Sequence, residues 1–292
     1  MGSHISKKKT TLKPRNNYEE IFLLNKSLAE ECDYDRMHLS HNLTREIFSG
    51  NFSSPVKPIL VDKNTKVLDV GCGAGYWLKE MSADFPLPNY VGVDMLPIFP
   101  KTGFPNRITF QQYNLLQGLP FENNSFDFIH IQYLAFDFSE PEWETLVFQE
   151  LVRVLKPGGW LEVCDIESVP MNSGPITDLI NTSMCKNYIS KNVNPQIVQR
   201  YESLIRSIPS FSSSKISHEI RNLPLGIWAD KIGELGSLFM KETCRLFLQG
   251  KIGQDVNIKR KNINTTLDEI SNEFELYQTF FNIHRLYVQK PH

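Results

Sequence analysis

The residues with the clearest chemical potential lie in one run, Val67-Leu68-Asp69-Val70-Gly71-Cys72-Gly73-Ala74-Gly75-Tyr76-Trp77. An apolar stretch leads into an acid, and three glycines follow at every second position. Glycine accepts dihedrals that a Cβ hinders and lets a ligand lie against bare main chain. The spacing departs from the dinucleotide fingerprint G-x-G-x-x-G, which wants glycine at 76, where this chain has Tyr76. Pyrophosphate is therefore a disfavoured guest. Asp69, just before the glycines, offers a carboxylate, which suits an ammonium group and not a phosphate. Nineteen residues after Gly75, Tyr90-Val91-Gly92-Val93-Asp94 again runs apolar into an acid, and such an acid can accept both hydroxyls of a ribose. Asp69 and Asp94 together point to a nucleoside that carries an amino-acid group.

The elements that must position these acids are the first two strands of a parallel α/β sheet, the first turning into a helix at its glycines. Before them, Ile21, Leu24, Leu28, Met37, Leu39, Leu43 and Ile47 recur at helical spacing, and residues 31–41 hold Asp33, Tyr34, Asp35, Arg36, His38 and His41. On residue type alone that dense polar stretch reads as an exposed face. The helix after the glycines should bury Trp77, Leu78 and Met81 and stop before Pro86. Pro97, Pro100 and Pro105 deny the next segment a long helix. Strands are expected from Arg107 to Asn114 and from Phe126 to Gln132, the latter buried on both faces. Ser139, Pro141 and Glu142 begin a helix with capping-box spacing whose apolar face is Trp143, Leu146, Val147, Leu151 and Val154. Lys156-Pro157-Gly158-Gly159 ends it, and Trp160 to Ile166 is the fifth strand. Two helices are expected between Met171 and Ile208, a sixth strand from Lys215 to Arg221, and a helix containing Leu238, Phe239, Met240 and Leu246. Thr266 with Glu269 has capping-box spacing for a helix to Tyr277, and Phe280 to Val288 completes the sheet.

The fold class is thus α/β, a Rossmann-like seven-stranded sheet, mostly parallel with the last strand antiparallel, with helices on both faces and a helical cap. The organisation expected is a tag remnant (Met1-Gly2-Ser3-His4) and flexible tail over 1–17, a helical cap over 18–60, and the main domain over 61–292 with a helical insertion at about 170–210. At 292 residues and 41% hydrophobic content the chain can bury a full core. A net charge of −2 gives no global attraction to nucleic acid or an anionic membrane. Lys7-Lys8-Lys9 reads as a solvated tail, with nuclear import the lesser alternative. No run approaches the ~18 apolar residues of a membrane span, so a soluble, cytoplasmic protein is expected, the nucleus being the alternative site. Five scattered cysteines without a C-x-x-C pair support neither a disulfide framework nor zinc, and no metal is expected.

The Asp69 to Gly75 run with Asp94 resembles motif I and the acidic ribose loop of class I S-adenosylmethionine-dependent methyltransferases. Asp35-Arg36 with His41, Phe48, Gly50 and Pro55-Val56, the proline-broken loop, the Asp127-Phe128-Ile129-His130 strand and Pro224-Leu225-Gly226-Ile227-Trp228 resemble fungal LaeA-type and related small-molecule methyltransferases. The match spans most of residues 31–289. It implies S-adenosyl-L-methionine as cofactor and S-adenosyl-L-homocysteine as product, held by Asp69, Gly71, Gly73, Gly75, Asp94, Met95, Asn114, Leu115, Gln132, Arg36 and His41. Asn114 puts an amide where a carboxylate is commoner, and His38 has no counterpart. The implied reaction is methyl transfer to oxygen, nitrogen or carbon of a small metabolite. A LaeA-like regulator acting through protein partners and a protein methyltransferase are the rival readings; the oligomeric state stays open. In-line displacement from a sulfonium needs mainly alignment, and a general base only for a poor nucleophile. His130 is a candidate base, although a histidine on a buried strand is more often a satisfied core residue, and Tyr133 is a candidate for the transfer point. Tyr18, Trp143 and Trp228 are candidate pocket walls. Residues 171–208 and the N-terminal helices are the expected determinants of the acceptor.

Overall fold

In the computed structural model, residues 33–100 and 102–292 are described; the segment 1–32, with Tyr18 and the lysine run, lies outside them. Val67, Leu68 and Val70 are fully buried because their strand, β1 (Lys66–Val70), lies mid-sheet with apolar layers on both faces. Its parallel neighbours are β2 (Asn89–Asp94) and β4 (Phe126–Gln132), and β3 (Ile108–Gln112) pairs with β2. The sheet has seven strands in the order β3-β2-β1-β4-β5-β7-β6. β5 (Leu155–Ile166) is parallel to β4, whereas β7 (Phe280–Gln289) enters antiparallel between β5 and β6 (Ile216–Pro224). β5 starts five residues earlier than the Trp160 expected from sequence. Its Lys156-Pro157-Gly158-Gly159 stretch is carried into the ladder through a register shift, so it does not stand as a separate turn.

Helices cover both faces. α1 (Asp33–Ile47) precedes β1, and α2 (Tyr76–Asp84) turns back against it, burying Trp77, Leu78 and Met81 on Val67, Tyr90 and Phe128. The Tyr90 hydroxyl donates towards the carbonyls of Met81 and Phe85 and fastens the end of α2 to β2. Between β2 and β3 the prolines leave no helix among the described residues. On the opposite face, α3 runs through Glu140–Glu142, a π-helical turn Trp143–Val147, and Phe148–Val154, beginning with the expected Ser139/Glu142 capping box. Trp143 is wholly buried there against Phe138, Phe148 and Tyr201, which removes it from the pocket wall.

The insertion contains α4 (Pro175–Ser190) and α5 (Ile197–Ser207). They part company: α5 joins the core under α3, while α4 packs with α1, α6 (Asp230–Gln249), the short α7 (Lys251–Asp255) and α8 (Ile263–Tyr277) in a separate apolar cluster above the sheet. α8 starts three residues before the expected cap. Thr266 lies inside it and donates to the Asn262 carbonyl, so the Thr266/Glu269 box does not form. No described helix is long and apolar enough to cross a membrane.

A buried ion pair fastens the chain after α1 to the sheet. Glu162 of β5 is fully buried and accepts from the backbone N–H groups of Ser53 and Ser54, at 3.0 and 2.7 Å for one carboxylate oxygen, and from the Ser54 hydroxyl at 2.5 Å. Arg285 of β7, 1% exposed, faces it with Nε–Oε1 at 3.4 Å, donates to the Gly50 carbonyl, and covers the Phe48 ring at 4.1 Å. Removing one charge strands the other in a low-dielectric site. Glu162→Ala is therefore expected to destabilise the protein by about 3–5 kcal/mol in equilibrium urea unfolding. The Glu162→Ala/Arg285→Met double variant should lose less than the two single losses combined; additive losses would mean that the charges are not coupled.

Candidate active site

Parallel register sets the site. Asp69 of β1 lies beside Gly92 of β2 on one side and beside His130 of β4 on the other. Beyond β1 the chain turns at Gly71 (φ +72°) and Gly73 (φ +51°), and the Gly71 and Cys72 N–H groups donate to the Val93 carbonyl. The Gly73 N–H then donates to one Asp94 carboxylate oxygen at 2.9 Å, and the Leu96 N–H to the other at 2.8 Å. Burial pushes the Asp94 carboxyl up, and these N–H donors oppose the shift. Each oxygen has a further lone pair to offer a ligand. A Cβ on Gly73 would meet only the Met37 sulfur, at 3.4 Å, so the open side of the turn is space that a side chain would otherwise fill.

Asp69 is buried, and its Oδ1 lies 2.8 Å from Nδ1 of His130. The imidazole stacks coplanar on Trp77 at 4.0 Å, leaving Nε2 buried and unpartnered among the described residues. From α1, His41 Nε2 approaches Glu80 Oε2 at 3.0 Å, and burial lowers the His41 pKa against the pull of Glu80. The Tyr133 hydroxyl shares a proton with Thr44 Oγ1 at 2.6 Å, to which Gln132 also donates; burial raises the Tyr133 pKa. His38 stacks against Tyr76 with ring centres 4.7 Å apart.

Most of these groups, but not His38, Thr44 or Glu80, open into one cavity of about 340 Å³. Arg36, His41, Asp69, Gly71, Gly73, Asp94, His130, Gln132 and Tyr133 all reach its wall. Gly75, Met95, Asn114 and Leu115 do not line it. Gly75 faces the Phe110 ring, the Met95 carbonyl accepts from Gln112, the Asn114 side chain caps the 3-10 turn after β3, and Leu115 sits in the main core. Trp228 lies outside the wall too, its indole donating to the Leu225 carbonyl.

The other end of the cavity is an apolar chamber under the cap: Ile180 and Met184 of α4, Phe239, Met240 and Phe247 of α6, and Ile270 and Phe274 of α8. The sequence pointed to residues 171–208 and the N-terminal helices for this role; of 171–208 only α4 reaches the wall, α5 does not, and α6 and α8 were missed because their apolar stripes are indistinguishable from core packing until the chain closes. It also missed Asp137, on the loop after β4. Its carboxyl lines the cavity and is pushed up to about 8, first by burial and then by Asp94 and Asp165.

A parallel sheet with a glycine turn after β1, an acid ending β2 and an antiparallel β7 inserted before β6 defines the class I methyltransferase fold. Residues 67–159 match the methyltransferase domain family, and the sheet order places the chain in that fold. It is 26% identical over 190 residues to methyltransferase str3 of Strobilurus tenacellus, covering 64% of this chain and 66% of that one. It is 31% identical over 140 residues to methyltransferase str2 of the same organism, covering 48% of each. To the secondary metabolism regulator laeA of Coprinopsis cinerea it is 29% identical over 160 residues, 52% of this chain and 39% of that one. The chain thus spans between about two fifths and two thirds of these relatives' lengths. Among solved structures, a Haemonchus contortus phosphoethanolamine N-methyltransferase 2 shares the fold with a TM-score of 0.52 and 16% identity, over 94% of this chain and 60% of that one.

The left-handed turn carries a measurable cost of substitution. A Cβ on Gly71 would stand 2.7 Å from the Leu134 side chain. Gly71→Ala should destabilise by about 1–2 kcal/mol from the dihedral alone, with a further loss from displacing Leu134. In urea unfolding, Leu134→Ala on the Gly71→Ala background should recover only that further part; full recovery would show that the dihedral is not strained.

Proposed function

We propose that this chain binds S-adenosylmethionine across the carboxyl ends of β1 and β2 and directs its methyl group to a small, largely apolar acceptor in the chamber under α4, α6 and α8. The observation that carries this reading is the Asp94 carboxylate, aimed by the Gly73 and Leu96 N–H groups, in the same cavity as the bare glycine turn and the apolar chamber. The residues fit such a cofactor. Gly73 leaves room for the nucleoside, Asp94 has lone pairs for two ribose hydroxyls, and Asp69 with the unpartnered Nε2 of His130 can meet its amino and carboxylate groups.

When bound, the cofactor supplies an activated methyl group with a neutral thioether as leaving group. The protein's part is alignment, a contribution that can reach about 7 kcal/mol or more. In this reading Trp77 and Asp69 hold His130 in one orientation, and Thr44 holds Tyr133, so the candidate base and the candidate for the transfer point both frame the site. Arg36 and His41 of α1 close over the cofactor. Several relatives are methyltransferases by name, which supports transfer. The apolar chamber supports a small acceptor over a peptide, and no side chain of the site favours the regulator reading.

Calorimetry with S-adenosylmethionine and S-adenosylhomocysteine, followed by transfer of a labelled methyl group to pooled small metabolites, tests the proposal. Saturable binding and a labelled small product are expected; a chain that binds neither compound is not this enzyme. Asp94→Ala should weaken S-adenosylhomocysteine binding about 10- to 100-fold, the loss expected for hydrogen bonds to a charged group, while the unfolding midpoint stays within reach of the parent's. Unchanged affinity would remove Asp94 from the ribose.

A further inference from the structure

The loop after β4 presents one carboxyl that the reading above leaves unused. Tyr133 turns through φ +59°, the Ala135 N–H donates to the buried Asp165 carboxylate, and the Asp137 N–H donates to the Leu134 carbonyl. Asp165 is itself held by the Tyr201 hydroxyl at 2.8 Å. Phe136 stacks on Tyr188 of α4 with ring centres 4.7 Å apart, and Phe138 is buried in the core. The loop is therefore pinned on both sides of Asp137, whose side chain lines the cavity. Among the described residues nothing donates a hydrogen bond to its carboxylate. A half-buried carboxyl in a cavity wall, without a protein donor, is free to accept a hydrogen bond from a ligand.

Resting on the methyltransferase reading, we propose that Asp137 is the general base of an O-methyltransferase, accepting the proton of a phenolic or enolic hydroxyl on an apolar acceptor held between Tyr188 and the α6 and α8 side chains. As the hydroxyl oxygen's lone pair forms the bond to the methyl carbon, the sulfur–methyl pair returns to sulfur and the O–H proton passes to Asp137. The positive charge lost by the sulfonium equals the proton gained by the carboxylate, so no other reactant is needed. The proton leaves to solvent with the product.

The surroundings of Asp137 match this task. The titratable groups that act electrostatically with it are Asp94 from β2, Asp165 from β5, Tyr188 from α4 and Tyr201 from α5, none of them cationic. Burial with two acidic neighbours pushes its carboxyl up to about 8, nearer than an ordinary carboxylate to a phenolic hydroxyl at about 10. A base must be unprotonated to act, so transfer should rise with pH through that region.

The test compares the parent with Asp137→Asn, using Asp137→Ser should the amide fail to fold. Affinity for S-adenosylhomocysteine should be unchanged. Methyl transfer to unsubstituted phenol and 1-naphthol should fall about a hundredfold or more and lose its rise near pH 8, whereas transfer to 4-nitrophenol, largely ionised in mildly alkaline buffer, should fall less than about tenfold. Without turnover, the absorbance of 4-nitrophenol bound with S-adenosylhomocysteine should show a higher ionisation midpoint in the parent than in Asp137→Asn, because a carboxylate repels the phenolate. Equal losses on weak and strong phenols, an unmoved midpoint, or no phenol methylation by a parent that binds S-adenosylhomocysteine would each overturn the assignment. Failure of the parent to bind S-adenosylhomocysteine would instead overturn the reading beneath it.

Discussion

One hydrogen bond, from the Gly73 N–H to the Asp94 carboxylate, ties the turn after β1 to the end of β2, and the rest of the site is arranged around it. It needs a residue at 73 whose backbone can take a positive φ and whose missing side chain leaves a hollow. It also needs β1 and β2 parallel and in register, so that both carboxyl ends arrive at one edge. Given those conditions, Asp94 is aimed before any ligand comes, and its remaining lone pairs face the cavity. Preorganisation of this kind lowers the ordering cost of binding.

The neighbouring pair, Asp69 with His130, follows from the same geometry on the other side of β1. Parallel pairing sets the two side by side, and Trp77 from the helix that the glycine turn launches lies flat against the imidazole. A polar dyad thus sits at the base of the cavity between apolar layers, where water cannot compensate it. Its one unsatisfied nitrogen points to a polar ligand, since buried polar atoms in folded proteins are nearly always paired. The cap above is held by different means. Glu162 and Arg285 clasp the chain after α1 to β5 and β7, while apolar contacts join α1 to α4, α6 and α8. The cavity lies where the clasped sheet and the greasy cap meet.

Differences between sequence reading and structure have physical causes. The Thr266/Glu269 spacing is that of a capping box, but Asn262 and Ile263 already satisfy helical geometry, and packing of Ile263 in the cap core extends α8 past the local signal. Trp143 has the size of a pocket wall, yet its helix faces α5 across the sheet's far side. Asn114 stands at the right strand end for a ligand contact, but its side chain is used by the 3-10 turn that it caps.

The amino-acid sequence by itself determined the strand order of chemistry: an acid, a glycine turn and a second acid, carried on apolar runs whose periodicities specify a parallel α/β sheet. These are short-range properties, set by spacing along one element and by the steric demands of single residues. Only the tertiary structure decided which distant segments close the cavity. The apolar faces of α6 and α8 carry no mark that separates chamber from core, and Asp137 is an ordinary acid in the sequence until burial and the nearness of Asp94 and Asp165 change its acidity. Those properties belong to the arrangement of elements in space, because burial and electrostatic coupling depend on neighbours that the linear order does not place together.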